Sequence, residues 1–208
     1  MRTAARRLRR LVEEHDRGTV AVTFLLSLPI FLTIMMIVVQ YALMINGKLS
    51  VDRATAVAAR TAMTALPNDP VVDEIDGPSL VDQSAYMALA PLSPKSVDAP
   101  SAEASAALQA LTDAGLTVTD SYASRYTYAQ QATTITWPDQ DYSRMHGAEI
   151  ELKIQYRFYL TVPFANFLIG QRDTVAGVSG HFTTITSTVK VQISHGRQAS
   201  ANGSGWPN

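Results

Sequence analysis

The chain has 208 residues, no cysteine, and ordinary proportions of hydrophobic (47%) and charged (17%) side chains, as expected for one folded domain with appended segments. Its charges are unevenly distributed. Residues 1–17 hold six arginines against three acids, whereas the chain from Lys48 onward holds 11 basic and 15 acidic residues. The mildly acidic C-terminal part argues against nucleic acid as a partner, because phosphate binding needs a basic face. Without disulfides, an exported domain must be stabilised by its own core.

A charge-free segment extends from Gly18 to Gly47. It exceeds the roughly 20 residues that an α-helix needs to cross a bilayer, and the about 7–15 residues of the apolar part of a cleaved secretory signal. Arginine clusters stay on the cytoplasmic side of a membrane. The sequence therefore predicts a single-pass membrane protein with a cytoplasmic N-terminus and an extracytoplasmic C-terminal domain.

The segment after the membrane helix also favours a helix. Residues 48–66 are rich in alanine, lack proline and have apolar side chains at helical spacing. We expect the membrane helix to continue through them. Its weak point is predicted at Asn46-Gly47, because this pair favours turns.

Prolines are concentrated in residues 67–100, which contain six of the ten. Because proline interrupts helices and central strands, this density predicts an irregular connection, with one short helix over residues 79–90. A second helix is predicted after Pro100, with Ser101 as its N-cap and Gly115 as its C-terminal stop.

β-structure is predicted to follow this second helix. Residues 117–137 are rich in threonine and tyrosine, and the clearest strand is residues 147–163, where seven apolar side chains alternate with polar ones. That alternation indicates an antiparallel sheet covered on one face. After Pro163 a short apolar helical turn is predicted to end at Gly170, and the last strand is predicted over residues 181–194.

These elements predict an α+β protein. A long N-terminal transmembrane helix continues into an extracytoplasmic domain, in which an antiparallel β-sheet packs on one or two helices. The tail is polar and rich in glycine and serine, which predicts disorder. The predicted segments are a basic cytoplasmic tail (1–17), the transmembrane helix (18–47), a helical extension (48–66), the Pro-rich connection (67–100), the α+β domain (101–194) and the disordered tail (195–208).

The sequence shows no constellation of catalytic or metal-binding residues. Residues 139–150 begin with the acidic spacing of a calcium loop, but they lack its glycine and its final acid, so a solvated turn is preferred. Phosphate loops, a GxSxG motif and a cysteine nucleophile are absent. We therefore predict a protein that is not an enzyme and has no metal, cofactor or identified small-molecule substrate. The four histidines lack metal-ligand spacing: His15, His146, His181 and His195.

The segment RGTVAVTFLLSLP, residues 17–29, has a glycine after a basic tail and a proline 11 residues later. In this register it resembles the TadE/TadG-like family, which are pseudopilin-type membrane proteins of the tight-adherence (Tad) pilus system. The family pattern is roughly RRG-x-x-x-V-E-F-x-x-x-x-P. The positions that match it are Arg17, Gly18, Val22, Phe24 and Pro29.

The chain departs from this pattern at two acids. The family's glutamate five residues after the glycine is Thr23, and its second acid is Gln40. In pilins the first glutamate is thought to pair with a neighbouring subunit's N-terminal amine, which is created when a prepilin peptidase cuts behind the glycine. The resemblance therefore implies processing between Gly18 and Thr19. A carboxylate in lipid is costly unless it is paired. Threonine carries no such cost, because its hydroxyl can bond to a carbonyl one turn earlier.

Two interpretations remain for each of two register residues. Thr23 is a quiet membrane residue, which we prefer, or a functional one. Pro29 is a pilin-like kink, which we prefer, or a proline that the membrane helix merely tolerates. With Phe24 and Gln40, these residues are the predicted positions of helix packing and register.

The resemblance implies a minor or auxiliary pseudopilin-like component of a Tad-type pilus assembly or secretion apparatus. It would act as a scaffold, through contacts with the membrane, with other pseudopilin-like subunits and with pilus platform proteins. The alternative is a membrane-tethered binding or sensing module unrelated to pili. In that case, the membrane helix would have no register-specific features.

Overall fold

The computed structural model describes residues 2–66, 77–117, 119–136 and 149–192, with side chains in the first range described from Val22 onward. The predicted disordered tail and the calcium-loop-like residues 139–148 lie outside these ranges. Within them, the elements in chain order are α1 (Arg2–Ala65), α2 (Gly77–Leu89), α3 (Ala102–Asp113), α4 (Asp120–Ala132), β1 (Thr133–Thr136), β2 (Glu149–Tyr159), α5 (Ala165–Ile169), β3 (Gln171–Val175) and β4 (Val178–Gln192).

Helix α1 is continuous over 64 residues, which corresponds to about 95 Å at 1.5 Å per residue. The predicted continuation beyond the membrane segment is thus confirmed, and the weak point at Asn46-Gly47 is wrong. Gly47 is buried where the helix crosses the sheet. A Cβ atom there would lie 3.0 Å from Phe158 Cε2 and 3.1 Å from Ile185 Cδ1. Glycine at this position therefore allows the helix to approach the sheet closely, and the intact helical hydrogen bonding overrides the pair's preference for a turn.

The four strands form one antiparallel sheet in the order β1-β2-β4-β3. Strand β2 pairs with β4 along its whole length, from Glu149 opposite Gln192 to Tyr159 opposite Phe182. The predicted alternation along β2 is confirmed, because its even-numbered side chains are buried and its odd-numbered ones are half-buried or exposed. The α+β fold class is confirmed as well.

The prediction of β-structure over residues 117–137 is wrong for most of that range. Residues Asp120–Ala132 form α4, and only Thr133–Thr136 pair as a strand. Residues three apart are buried along the helix, namely Ala123, Tyr126, Ala129 and Ala132. Packing of this helical face overrides the β-propensity of threonine and tyrosine. The final strand also begins earlier than predicted, and it pairs with β3, which the sequence analysis missed.

The shorter helices follow the sequence more closely. Helix α2 lies within the Pro-rich connection, as predicted. Ser101 caps α3, since its hydroxyl accepts a hydrogen bond from the Ala104 amide at 3.1 Å. Gly115, with φ +81°, follows the end of that helix, as expected for a C-terminal stop.

The core lies between the buried face of the sheet and helices α1, α2 and α4. The part of α1 beyond the membrane segment contributes mainly small side chains, which bring it close to α2. Two core tyrosines have hydrogen-bonded hydroxyls: that of Tyr156 lies 2.9 Å from Ser93 Oγ, and that of Tyr128 donates to the Arg157 carbonyl at 3.1 Å. Buried α1 side chains in this core are Val51, Ala54, Ala58, Ala59, Ala62 and Leu66.

Candidate functional site: the anchor helix and its junction with the sheet

The first part of α1 has no cover from the rest of the described chain. The stretch Val22–Ala65 contains an 18-residue window with mean hydropathy 2.6 that is entirely unburied, and it is the one helix in the described ranges long and apolar enough to cross a membrane. Most of the exposed large apolar side chains of α1 lie in residues 22–39, which span about 27 Å. That length is close to the roughly 30 Å hydrocarbon thickness of a bilayer.

Three predicted register residues lie within this exposed segment. Thr23 and Pro29 are exposed, and Phe24 is 62% exposed. The helix continues through Pro29, which has no N–H to offer to the carbonyl one turn earlier. The hydroxyl of Thr33 donates to the Pro29 carbonyl at 2.8 Å, and that of Ser27 donates to the Phe24 carbonyl at 3.0 Å. The hydroxyls of Ser27 and Thr33 are therefore satisfied by the helix itself.

Gln40 lies in different surroundings, because it is fully buried where the sheet first reaches α1. Its Oε1 accepts a hydrogen bond from the Val162 amide at 3.0 Å. Val162 follows the end of β2, so this bond joins the helix to the β2–β3 connection. The Nε2 atom is buried and has no hydrogen-bond partner among the described residues. The helix–sheet junction begins within residues 40–47, at the end of the predicted transmembrane helix.

Asp52 makes a second polar connection between α1 and the sheet. Its Oδ1 accepts hydrogen bonds from Lys48 Nζ at 2.6 Å and from Ser187 Oγ at 2.7 Å. Lys48 Nζ also donates to the Thr186 carbonyl at 2.8 Å. Burial works against ionisation of Asp52, but the hydrogen bonds from Lys48 and Ser187 outweigh it and lower the pKa of the carboxyl. Together these groups fix the rotation of α1 on β4.

The predicted site residues therefore separate into two places. Thr23, Phe24 and Pro29 lie on the exposed segment, while Gln40 is 17 residues beyond Thr23, or about 25 Å along the helix. The predicted processing position, Gly18-Thr19, lies within the backbone of α1.

Sequence reasoning missed the partner of Gln40, because the two residues are 122 positions apart. A polar amide at the end of an apolar segment was the available signal. Among the residues that the structure describes, no group of three or more His, Cys, Asp or Glu side chains is placed to hold a metal ion.

Comparison with known families finds a match that extends over both parts of α1. Residues 18–60 match the family model described as TadE-like protein. This segment is TadE-like. The match begins at Gly18 and includes the exposed segment, Gln40 and the junction with the sheet, and it confirms the resemblance found in the sequence. No curated protein and no solved structure matches the chain.

Residues 18–60 are thus similar to TadE-like proteins, and they include most of the apolar stretch that is long enough to cross a membrane. Such proteins are a family of pilus components, not of enzymes. The remainder of the chain, from residue 61 onward, lies beyond the matched range.

Proposed function

We propose that this TadE-like protein is a minor or auxiliary pseudopilin-like component of the inner membrane, which scaffolds a Tad-type pilus or secretion apparatus. The observation that carries the proposal is the family match over residues 18–60. That range is one continuous helix, exposed in its first part and packed on the sheet in its second. A single rigid element thus connects the membrane to the extracytoplasmic domain.

The exposed segment supports a packing role for the anchor. Its side chains receive no cover from the described chain, so lipid or the helices of partner subunits must surround them. Small and hydroxyl side chains allow membrane helices to approach closely. Its orientation follows from the arginines of residues 1–17, which favour a cytoplasmic N-terminus.

Thr23 supports an auxiliary role in preference to that of a bulk filament subunit. An ionised carboxylate at a helix centre in a membrane costs roughly 2.5–3.5 kcal/mol or more unless it is paired, so its presence would require a partner charge. A threonine hydroxyl imposes no such requirement. The helix therefore keeps the family register without the charge that pairs with an incoming subunit.

An anchor exchange distinguishes this proposal from a membrane-tethered binding or sensing module. Residues 19–39 are replaced by an unrelated leucine-alanine helix of the same length, in the organism's own membrane. We expect the variant to insert and fold, but to lose pilus assembly and cross-linking to pilus platform proteins. The matched control makes the same replacement but keeps Thr23, Phe24 and Pro29, and it should retain more assembly. Full assembly with the unrelated helix would contradict the proposal and favour the tether.

Processing after Gly18 is a separate part of the proposal, and its test is the intact mass of the protein purified from its own membrane. Cleavage removes residues 1–18 and leaves Thr19 as the N-terminal residue. A Gly18→Val variant should keep the full mass, because the peptidase acts behind glycine. An intact N-terminus in the wild-type protein would contradict cleavage and leave an uncleaved scaffold.

A further inference from the structure

The connection between β2 and β3 exposes a cluster of large apolar side chains. Phe164 is 70% exposed, Phe167 is 76% exposed and Leu168 is 65% exposed, and Ile169 is partly exposed beside them. We call these four residues the apolar corner. They lie in a stretch without any charged residue, from Phe158 to Gln171. Burying one such side chain is worth roughly 1.5–3 kcal/mol, so leaving several in water together is costly.

The apolar corner is located beside the end of the exposed segment of α1. Val162, two residues before Phe164, donates its amide to Gln40. Helix α5 itself lies against α1. Because Gln40 is the first residue buried after the exposed residues 22–39, the corner lies at the level where that apolar surface ends. The apolar corner therefore lies near the end of the exposed apolar segment of α1. Tyr41, exposed at the same level, is of the type enriched at membrane–water interfaces.

The backbone holds the corner in this exposed arrangement. Phe164 has φ 65° and ψ −47°, and the Ala165 amide donates to the Pro163 carbonyl at 2.8 Å, which closes a three-residue γ-turn. Such a turn is strained for an L-residue, and strain of this kind persists only where the surrounding structure imposes it. At the other end of α5 the backbone packs closely on the sheet, since a Cβ at Gly170 would lie 2.5 Å from Leu160 Cδ1. The apolar side chains are thus presented by a fixed turn.

We propose that the apolar corner inserts into the outer-leaflet interface of the membrane beside the α1 span, as a second membrane contact of the domain. Interfacial apolar groups reach about 5–10 Å into the boundary between headgroups and acyl chains, which agrees with the position of the corner at the end of an about 27 Å span. The exposed Arg172, directly after the charge-free stretch, suits anionic headgroups. With one contact the domain could swivel about α1; with two, its tilt and rotation are fixed. The inference rests on the proposed membrane span.

Depth-dependent quenching of a single tryptophan tests the inference. In the full chain, Trp137 and Trp206 are replaced by phenylalanine, and Phe167→Trp is introduced, with Leu168→Trp as a second reporter. Each protein is reconstituted in phosphatidylcholine–phosphatidylglycerol vesicles, with bromine either near the headgroup or near the end of the acyl chain. We expect the Phe167→Trp emission to shift to the blue, and to lose most of its intensity with the shallow bromine.

Two further reporters serve as controls on the same helix. Val38→Trp lies in the exposed segment and should be quenched whenever α1 spans the bilayer. Met63→Trp, also exposed, lies 23 residues beyond Gln40, or about 35 Å along α1. It should keep its emission with either lipid. Circular dichroism of the tryptophan-free parent establishes that the reporters are placed in a folded chain.

The outcomes separate the inference from the proposal on which it rests. If Val38→Trp is quenched and both corner reporters are not, the second membrane contact is overturned and the anchor stands. If Val38→Trp is not quenched, the anchor itself fails. If the corner reporters shift to the blue without bromine quenching, and the shift depends on the ratio of protein to lipid, a second copy of the chain covers the corner and the inference is overturned.

Discussion

Gln40 connects the anchor to the domain through one side-chain oxygen. A Gln40→Leu substitution leaves the Val162 amide without its acceptor in a buried position. An unsatisfied buried group of this kind costs roughly 1–3 kcal/mol, although loss of the unpartnered Nε2 offsets part of that cost. We expect a lower free energy of unfolding in detergent micelles, and faster hydrogen exchange at the Val162 amide. Tyr41→Leu, at the exposed neighbouring position, is the control. An unchanged exchange rate in Gln40→Leu would contradict the assigned contact.

Gly47 and Asn46 give opposite predictions although they are adjacent in α1. Gly47→Val places new atoms where Phe158 and Ile185 already lie within about 3 Å of a Cβ. We expect it to lower the free energy of unfolding by about 1–3 kcal/mol. Asn46 is exposed, so Asn46→Ala should raise helix stability by up to about 0.7 kcal/mol. Urea unfolding of the two variants in micelles measures both. A destabilising Asn46→Ala would contradict the continuous helix.

At the scale of elements, Asp52 is one of the charged groups, with Lys48, that join α1 to β4. Its pKa is lowered below the ordinary value of 3.8, mainly by the hydrogen bonds from Lys48 and Ser187 acting against burial. A lowered pKa in the folded state contributes stability above pH 3.8 that is lost as the pH falls through the lowered pKa. Asp52→Asn should therefore reduce the loss of melting temperature on acidification. Asp113→Asn, an exposed carboxylate on α3, is the matched control and should leave the acid response as in the wild type.

Elements whose apolar side chains fit only one secondary-structure pattern were predictable from the sequence. Elements whose side chains fit both a helix and a strand were not. Strand β2 alternates strictly, and α1 is apolar and then alanine-rich, so both emerge from local pattern. In α4 all three tyrosines lie on one strand parity, but Tyr122 and Tyr126 are also four residues apart on one helical face. Only packing of Tyr126 and the neighbouring alanines decides between these alternatives. Short β3 pairs only with β4, and its five residues are too few to show alternation.

The candidate site was also predictable only where it depends on a local sequence pattern. The register of Gly18, Phe24 and Pro29 is a local pattern, and these residues lie within the range 18–60 that matches the TadE-like family model. The contact of Gln40 with Val162 depends on the complete fold, as does the exposure of the apolar corner. A one-dimensional pattern shows that a residue is apolar, but it does not show whether the folded chain covers that residue.

The whole domain depends on tyrosines that must remain neutral. Burial, reinforced by the charges of Asp82 and Glu103, raises the pKa of Tyr86 to about 12. Burial also raises the pKa values of Tyr126, Tyr128 and Tyr156 above 10.0. Groups with raised pKa values contribute stability that is complete below their unfolded pKa and is lost as the pH rises toward their folded pKa.

We therefore expect the free energy of unfolding to fall above about pH 10. The tyrosinate absorbance should rise in one step, together with loss of the near-ultraviolet circular dichroism, because the buried hydroxyls ionise when the domain opens. Gradual titration of all tyrosines with an intact dichroism spectrum would contradict this coupling.

A pair of hydroxyl deletions tests whether the core, and not the surface, causes this alkaline limit. The Tyr126 hydroxyl is buried without a hydrogen-bond partner among the described residues, whereas the Tyr128 hydroxyl donates to the Arg157 carbonyl. Tyr126→Phe removes an ionisable group and an unsatisfied donor, so it should keep or raise stability at neutral pH and move alkaline unfolding to higher pH. Tyr128→Phe loses a hydrogen bond and should lower the neutral-pH free energy of unfolding by about 0.5–1.5 kcal/mol. Equal effects of the two variants at neutral pH would mean that the hydroxyls have equivalent surroundings, in contradiction to the packing around α4.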